Sequence, residues 1–114
     1  MQAIDPTTVA ILSEGLPPDV FLTILRTFEH DLAELGERMA VALGERDMAA
    51  FSQGAHALAG AAGSLGAQRL AHQARLAMRP ATPEAAPALL AGVQQELRLV
   101  LAELRDLAAA SPPG

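Results

Sequence analysis

The sequence predicts an all-α fold: an antiparallel four-helix bundle with a short additional N-terminal helix. Three observations predict it. Alanine occurs 25 times and leucine 18 times in 114 residues, and these are among the best helix formers. Val, Ile and Thr together number only 13, with three Phe and no Tyr or Trp, whereas a sheet favours β-branched and aromatic residues. Apolar residues also recur at alternating spacings of three and four in four stretches joined by short connections, the pattern of packed amphipathic helices. The length fits one domain, expected over residues 1–110, with 111–114 as a flexible tail.

Each element carries its own signals. Asp5-Pro6 reads as an N-cap followed by a first-turn proline, opening a short lid helix to about Ser13, with Gly15 as its stop. Leu16-Pro17-Pro18-Asp19 starts a long helix with an apolar stripe of Phe21, Leu25, Phe28, Leu32, Leu35, Met39 and Ala42. Gly44 is its expected C-terminal stop. This helix is longer than a small core needs, so part of it should project. A third helix starts near Glu45 to Asp47, where acids suit the positive helix end. Its stripe is Met48, Phe51, Ala55, Leu58, Ala62 and Leu65, and Gly66 breaks the run. A shorter helix follows with Leu70, Ala74 and Ala77 or Met78 inward. Arg79 to Pro83 reads as a loop in which Thr82 can cap the last helix. That helix carries Leu90, Val93, Leu97, Val100, Leu104 and Leu107, and Glu96, Arg98, Glu103, Arg105 and Asp106 read as its solvated face.

Composition excludes several function classes. The chain has no cysteine, so disulfides, thiolate metal sites and cysteine nucleophiles are out. Eight basic against 13 acidic residues give a net charge of −5, which argues against nucleic acid as a partner. No basic n-region followed by an apolar h-region marks a signal peptide. Residues Met48 to Gln68 run uncharged for 21 residues, yet four glycines and several polar residues make the stretch too weakly apolar for a membrane span. His72 follows His56 by 16 residues with Gly66 between, poor spacing for a metal pair. Neither a P-loop nor a nucleophile-elbow serine motif occurs, and no convergent polar set suggests an autonomous enzyme. His30, Asp31 and His72 read as solvated surface residues.

One residue stands out. On a helical wheel His56 lies beside the core stripe, and the residues sharing its face are Ala49, Ser52, Gln53, Ala59, Gly60 and Gly63. All are small or uncharged. A glycine inside a helix costs about 1 kcal/mol relative to alanine, so two of them beside a lone histidine imply close approach by another body. A polar surface histidine beside packing glycines is the plain alternative. The functional one is nucleophilic: a neutral imidazole has a free lone pair that can accept a phosphoryl group.

The run His56-Ala57-Leu58-Ala59-Gly60, then Ser64-Leu65-Gly66-Ala67 and Leu70, resembles the histidine-containing phosphotransfer (HPt) domain of bacterial multistep phosphorelays. Ile4-Asp5, the Phe21-Leu22 to Phe28 and Asp31 stretch, and Ala42-Leu43 resemble the rest of that family's layout, so the likeness covers nearly the whole chain. It implies a cytoplasmic, monomeric phosphocarrier with His56 as phosphoacceptor between receiver-domain aspartates. The implied partners are response-regulator receiver domains and a hybrid sensor kinase, with no membrane contact. It implies no cofactor on this chain, since the receiver brings the Mg²⁺. Gly60 would give the receiver room, with Ser52, Gln53, Ala59 and Gly63 around it and Ile11, Leu12 and Leu22 as an apolar docking patch. Two positions depart from the family. Ala59 stands where a lysine is common, and Met78 stands where some members have a glutamine on the imidazole. Arg69 and Arg75 of the next helix are candidates for the missing charge. These departures keep open a second reading, an adaptor that binds receivers or a kinase without being phosphorylated.

Overall fold

The computed structural model describes residues 3–79 and 82–110; the tail expected over 111–114 lies outside them. Five α-helices follow one another: α1 (Pro6–Ser13), α2 (Pro18–Gly44), α3 (Met48–Leu65), α4 (Gln68–Ala77) and α5 (Ala86–Ala110), with a 3₁₀ turn at Pro83–Ala85 leading into α5. Helix α2 packs on α3 and α5, and α4 packs on the same two. The four therefore close a ring around one core, as the apolar stripes require. Leu25, Leu32 and Met39 of α2 meet Phe51, Leu58 and Leu65 of α3, Leu70 of α4, and Val93, Val100 and Leu104 of α5, all buried. At about 1.5 Å per residue, the 27-residue α2 and 25-residue α5 run nearly the 47 Å length of the molecule, whereas α4 has 10 residues. The two long helices thus project past α4.

Two glycines let α2 approach its neighbours. A Cβ on Gly54 would stand 2.9 Å from Met39 Cγ, and one on Gly36 would stand 2.5 Å from Leu97 Cδ2. Both positions need bare backbone for their packing, and this separates them from the glycines around His56.

Helix α2 does not stop at Gly44 through that residue's own freedom. Gly44 is its last helical residue, and the left-handed position falls on Arg46, at φ +57°. The Asp47 N–H donates to the Ala42 carbonyl and the Arg46 N–H to the Leu43 carbonyl, the paired closure that usually recruits glycine. An L side chain is disfavoured there by about 1–2 kcal/mol, partly offset by the entropy glycine loses on folding. Arg46→Gly should therefore raise stability by about 0.5–1 kcal/mol, read as a higher denaturation midpoint at constant m-value.

The start of the chain is tied to the far end of α3. Asp5 caps α1 by accepting from the Thr7 N–H at 3.0 Å, and its own N–H donates to the Gly66 carbonyl at 3.0 Å. The N–H groups of buried Ala3 and Ile4 donate to the carboxylate of Glu103. This corrects the solvated-face reading of α5 at Glu103 and Glu96, while Arg98, Arg105 and Asp106 are exposed as that reading expects. Glu103 is half-buried and clamps the N-terminal segment, half-buried Glu96 pairs with Arg69 at 3.2 Å, and Arg105 pairs with Glu29 at 2.7 Å. Their partners lie on other elements, beyond the reach of a charge pattern along one helix. Thr82 precedes the 3₁₀ turn, but its side chain makes no capping bond.

Candidate functional site

The candidate site is the outer face of α3. Asp47 starts that helix by accepting the Ala50 N–H at 3.0 Å. Gly66 ends it at φ +79°, with the Ala67 N–H on the Ala62 carbonyl and the Gly66 N–H on the Gly63 carbonyl. Between these caps, Phe51, Gly54, Ala55, Leu58, Ala62 and Leu65 are buried. At about 100° per residue, this buried arc leaves His56, Gly60, Gly63 and Ala49 on the opposite side, and all four are exposed. His56 makes no ion pair or side-chain hydrogen bond among the described residues. Its ring is open to an incoming group.

The glycines beside it answer the question left by the sequence. A Cβ on Gly60 or Gly63 would meet nothing within 4 Å, so neither serves packing inside this molecule. Gly60 also keeps its carbonyl occupied by the Ser64 hydroxyl, which donates at 3.1 Å. Alanine would fit both positions and would favour the helix. The site is flat because side chains are missing from it.

The flanks differ. Towards α2 lies a groove of about 610 Å³, walled by Glu34, Arg38 and Val41 of α2 and its C-cap Glu45 against Gln53 and Ala57 of α3. Val41 is 49% exposed there. Glu34, Arg38 and Val41 escaped the sequence reading, and the signal that could have found them is the excess length of helix two. Towards α4 lie Ser52 and Ala59, both half-buried. Ile11 of α1 is 64% exposed, while Leu12 and Leu22 are half-buried, Leu12 against the core. Of the two arginines named from the sequence, Arg69 turns to Glu96 on α5, whereas Arg75 is exposed. His30 sits 3.4 Å from Glu34, well exposed, and His72 is exposed on α4. Among the described residues no group of three or more His, Asp and Glu converges on a metal-sized site, and no helix is long and apolar enough to cross a membrane.

Chemically, such a face offers an exposed imidazole as nucleophile and no competing charge on its own helix. It is flat enough for another protein to close over it. Comparison with known proteins agrees with that geometry. The Hpt domain family model matches residues 23–109. Among solved structures, the crystal structure of histidine-containing phosphotransfer protein B (HptB) from Pseudomonas aeruginosa PAO1 superposes with a TM-score of 0.87 at 26% identity, over 96% of this chain and 97% of that one. No curated protein matches the chain in sequence. With a family match over three quarters of its length and an exposed histidine on a bare helix face of the bundle, the chain belongs to the Hpt domain family.

Proposed function

We infer that this chain is a phosphorelay carrier that holds a phosphoryl group on His56 between the aspartates of two receiver domains. The observation that carries the reading is the exposed His56 with Gly60 and Gly63 bare beside it and nothing within 4 Å of where their side chains would be. Family membership supplies the reaction class. In the forward step a ring nitrogen of His56 attacks the phosphorus of a receiver's aspartyl phosphate. The P–N bond forms as the P–O bond breaks, and the electron pair leaves on the aspartate carboxylate. The reverse step onto a second receiver regenerates the imidazole. Such transfer is mostly positioning and charge neutralisation, and the receiver's Mg²⁺ supplies much of the latter. The chain provides the nucleophile and a surface flat enough for the receiver's active site to close and expel water.

The carrier acts without catalytic machinery of its own, so turnover requires the partner. Ser52, Gln53, Ala59 and Gly63 form the contact ring around His56, and Ile11, Leu12 and Leu22 the apolar docking patch, with exposed Ile11 as its most accessible member. The partners are response-regulator receivers and a hybrid sensor kinase, met by a monomer in the cytoplasm. The adaptor reading is not favoured, because the chain belongs to a phosphotransfer family and keeps an exposed histidine that docking alone would not require.

The test is transfer from a panel of labelled, phosphorylated receiver domains to the whole chain. Label should arrive, be labile in acid and stable in base, and map to His56. A receiver panel that binds measurably yet transfers nothing would overturn the carrier in favour of the silent adaptor.

A further inference from the structure

The cations of this molecule are distributed unevenly, and the unevenness points at His56. The chain contains no lysine, and residues 48–83 contain no acid. The hairpin of α3 and α4 therefore carries only Arg69, Arg75 and Arg79, while the rest of the chain sets five arginines against 13 acids. Arg69 is committed to Glu96 of α5 at 3.2 Å. Arg75 is exposed and forms no ion pair among the described residues.

Helix geometry puts Arg75 next to the site. The hairpin turns at Gly66 and Ala67. Ala59 lies seven residues before Gly66 and Arg75 eight after Ala67, so at about 1.5 Å per residue the two are level. His56 lies one turn further along α3. The rotational settings agree. On α4, Arg69 and Gln73 face α5, where a Cβ on Gly92 would stand 2.6 Å from Gln73 Oε1. The opposite edge of α4, carrying Ala71, Arg75 and Met78, then faces α3. On α3, Gly54 and Ala57 mark the α2 side, so Ala59 and Ser52 mark the α4 side. His56 stands about 60° round from Ala59 but about 100° from Ala57. It leans towards α4, away from the α2 wall with its Glu34, Glu37, Arg38 and Glu45. By this placement Ala59, with only a methyl group, lies between the Arg75 edge and the imidazole face, and a long guanidinium stem can lie across it.

We propose that Arg75, reaching over Ala59 from α4, is the cation that binds the phosphoryl group once it is on His56. The proposal rests on the carrier reading and adds a phosphoryl-binding residue to it. Arginine suits the role because its planar fork can hold two phosphoryl oxygens at once. Ala59 suits it because any larger side chain would block the path.

The test loads the whole chain with phosphoramidate, which needs no receiver. The P–N bond to ammonia breaks as the bond to imidazole forms, and ammonia leaves. ³¹P NMR then follows the protonation of the phosphoryl group, with His56→Gln identifying its signal. A nearby cation favours the doubly ionised form. Arg75→Gln should therefore raise the midpoint by about half a pH unit, roughly a threefold gain in proton affinity. Arg75→Lys should keep most of the effect, and Ala59→Lys in the Arg75→Gln background should restore it. Arg98→Gln, which removes the same charge from the exposed face of α5, should leave the midpoint unchanged. An unchanged midpoint in Arg75→Gln, with His56 loaded, overturns the role of Arg75 and leaves the carrier reading standing. Failure of His56 to load from both phosphoramidate and receivers overturns the two together.

Discussion

His56→Gln is expected to abolish phosphoryl acceptance, lowering transfer from a phosphorylated receiver by more than about three orders of magnitude, with the melting temperature unchanged. The loss should be total because the reaction has one nucleophile and no substitute. His30 lies on α2 beside Glu34, and His72 on α4 beyond the hairpin's outer edge, so neither shares the bare face of α3. Glutamine keeps a polar side chain but has no ring nitrogen that can form a P–N bond. Stability should hold because His56 is exposed and makes no ion pair or side-chain hydrogen bond among the described residues, and substitutions at such positions usually stay within about 0.5 kcal/mol. Rapid-quench transfer assays and a thermal melt on the same preparation check both halves. Label on the variant at a rate within tenfold of the parent protein would mean that another residue is the acceptor.

Much of this was legible in the sequence because helical burial is periodic. Leu25, Leu32 and Met39, or Phe51, Leu58 and Leu65, fall on one side of their helices whatever the partner, so the core could be read before the packing was known. His56 was legible for the complementary reason. A missing charge and a surplus glycine are properties of residues, visible without coordinates. What escaped depends on contacts between elements distant in sequence. Glu103 looked solvated because its partners, the N–H groups of Ala3 and Ile4, lie about a hundred residues away. Gly36 and Gly54 give no sign along their own helix that Leu97 and Met39 press against them. The α2 terminus misled for a subtler reason. Gly44 is the residue type that ends helices, yet the chain turns two residues later on Arg46, at a conformational cost that the sequence does not display. Arg75 was named from the sequence together with Arg69, and only the packing separates them, since Arg69 pairs with Glu96 of α5 while Arg75 is exposed.

Gly66→Ala is expected to destabilise the fold by about 2–5 kcal/mol, a large share of the 5–15 kcal/mol typical of such a domain. Two independent terms add. Gly66 sits at φ +79°, where an L residue is disfavoured by about 1–2 kcal/mol. Its Cβ would also stand 2.5 Å from Thr8 Oγ1, 2.8 Å from Thr8 Cβ and 3.1 Å from Asp5 Cβ. Thr8 is β-branched on the first turns of α1 and cannot swing away as a long side chain would, so overpacking adds about 1–3 kcal/mol. The chain itself contains the control. Gly15 has φ +74° with nothing within 4 Å of an added Cβ, so Gly15→Ala should show the conformational term alone, near 1 kcal/mol. Gly60→Ala completes the series in the opposite direction. Its φ is helical and its surroundings open, so stability should rise by up to about 1 kcal/mol while transfer from a receiver slows by about tenfold or more. Denaturation midpoints for the three variants, beside one transfer rate for Gly60→Ala, separate what glycine does at each place: left-handed backbone at 15, the same plus the seat of α1 at 66, and access alone at 60. Equal losses at 15 and 66 would remove the packing term. A Gly60→Ala protein that is more stable and transfers at the parent rate would mean that receivers do not approach His56 across this face.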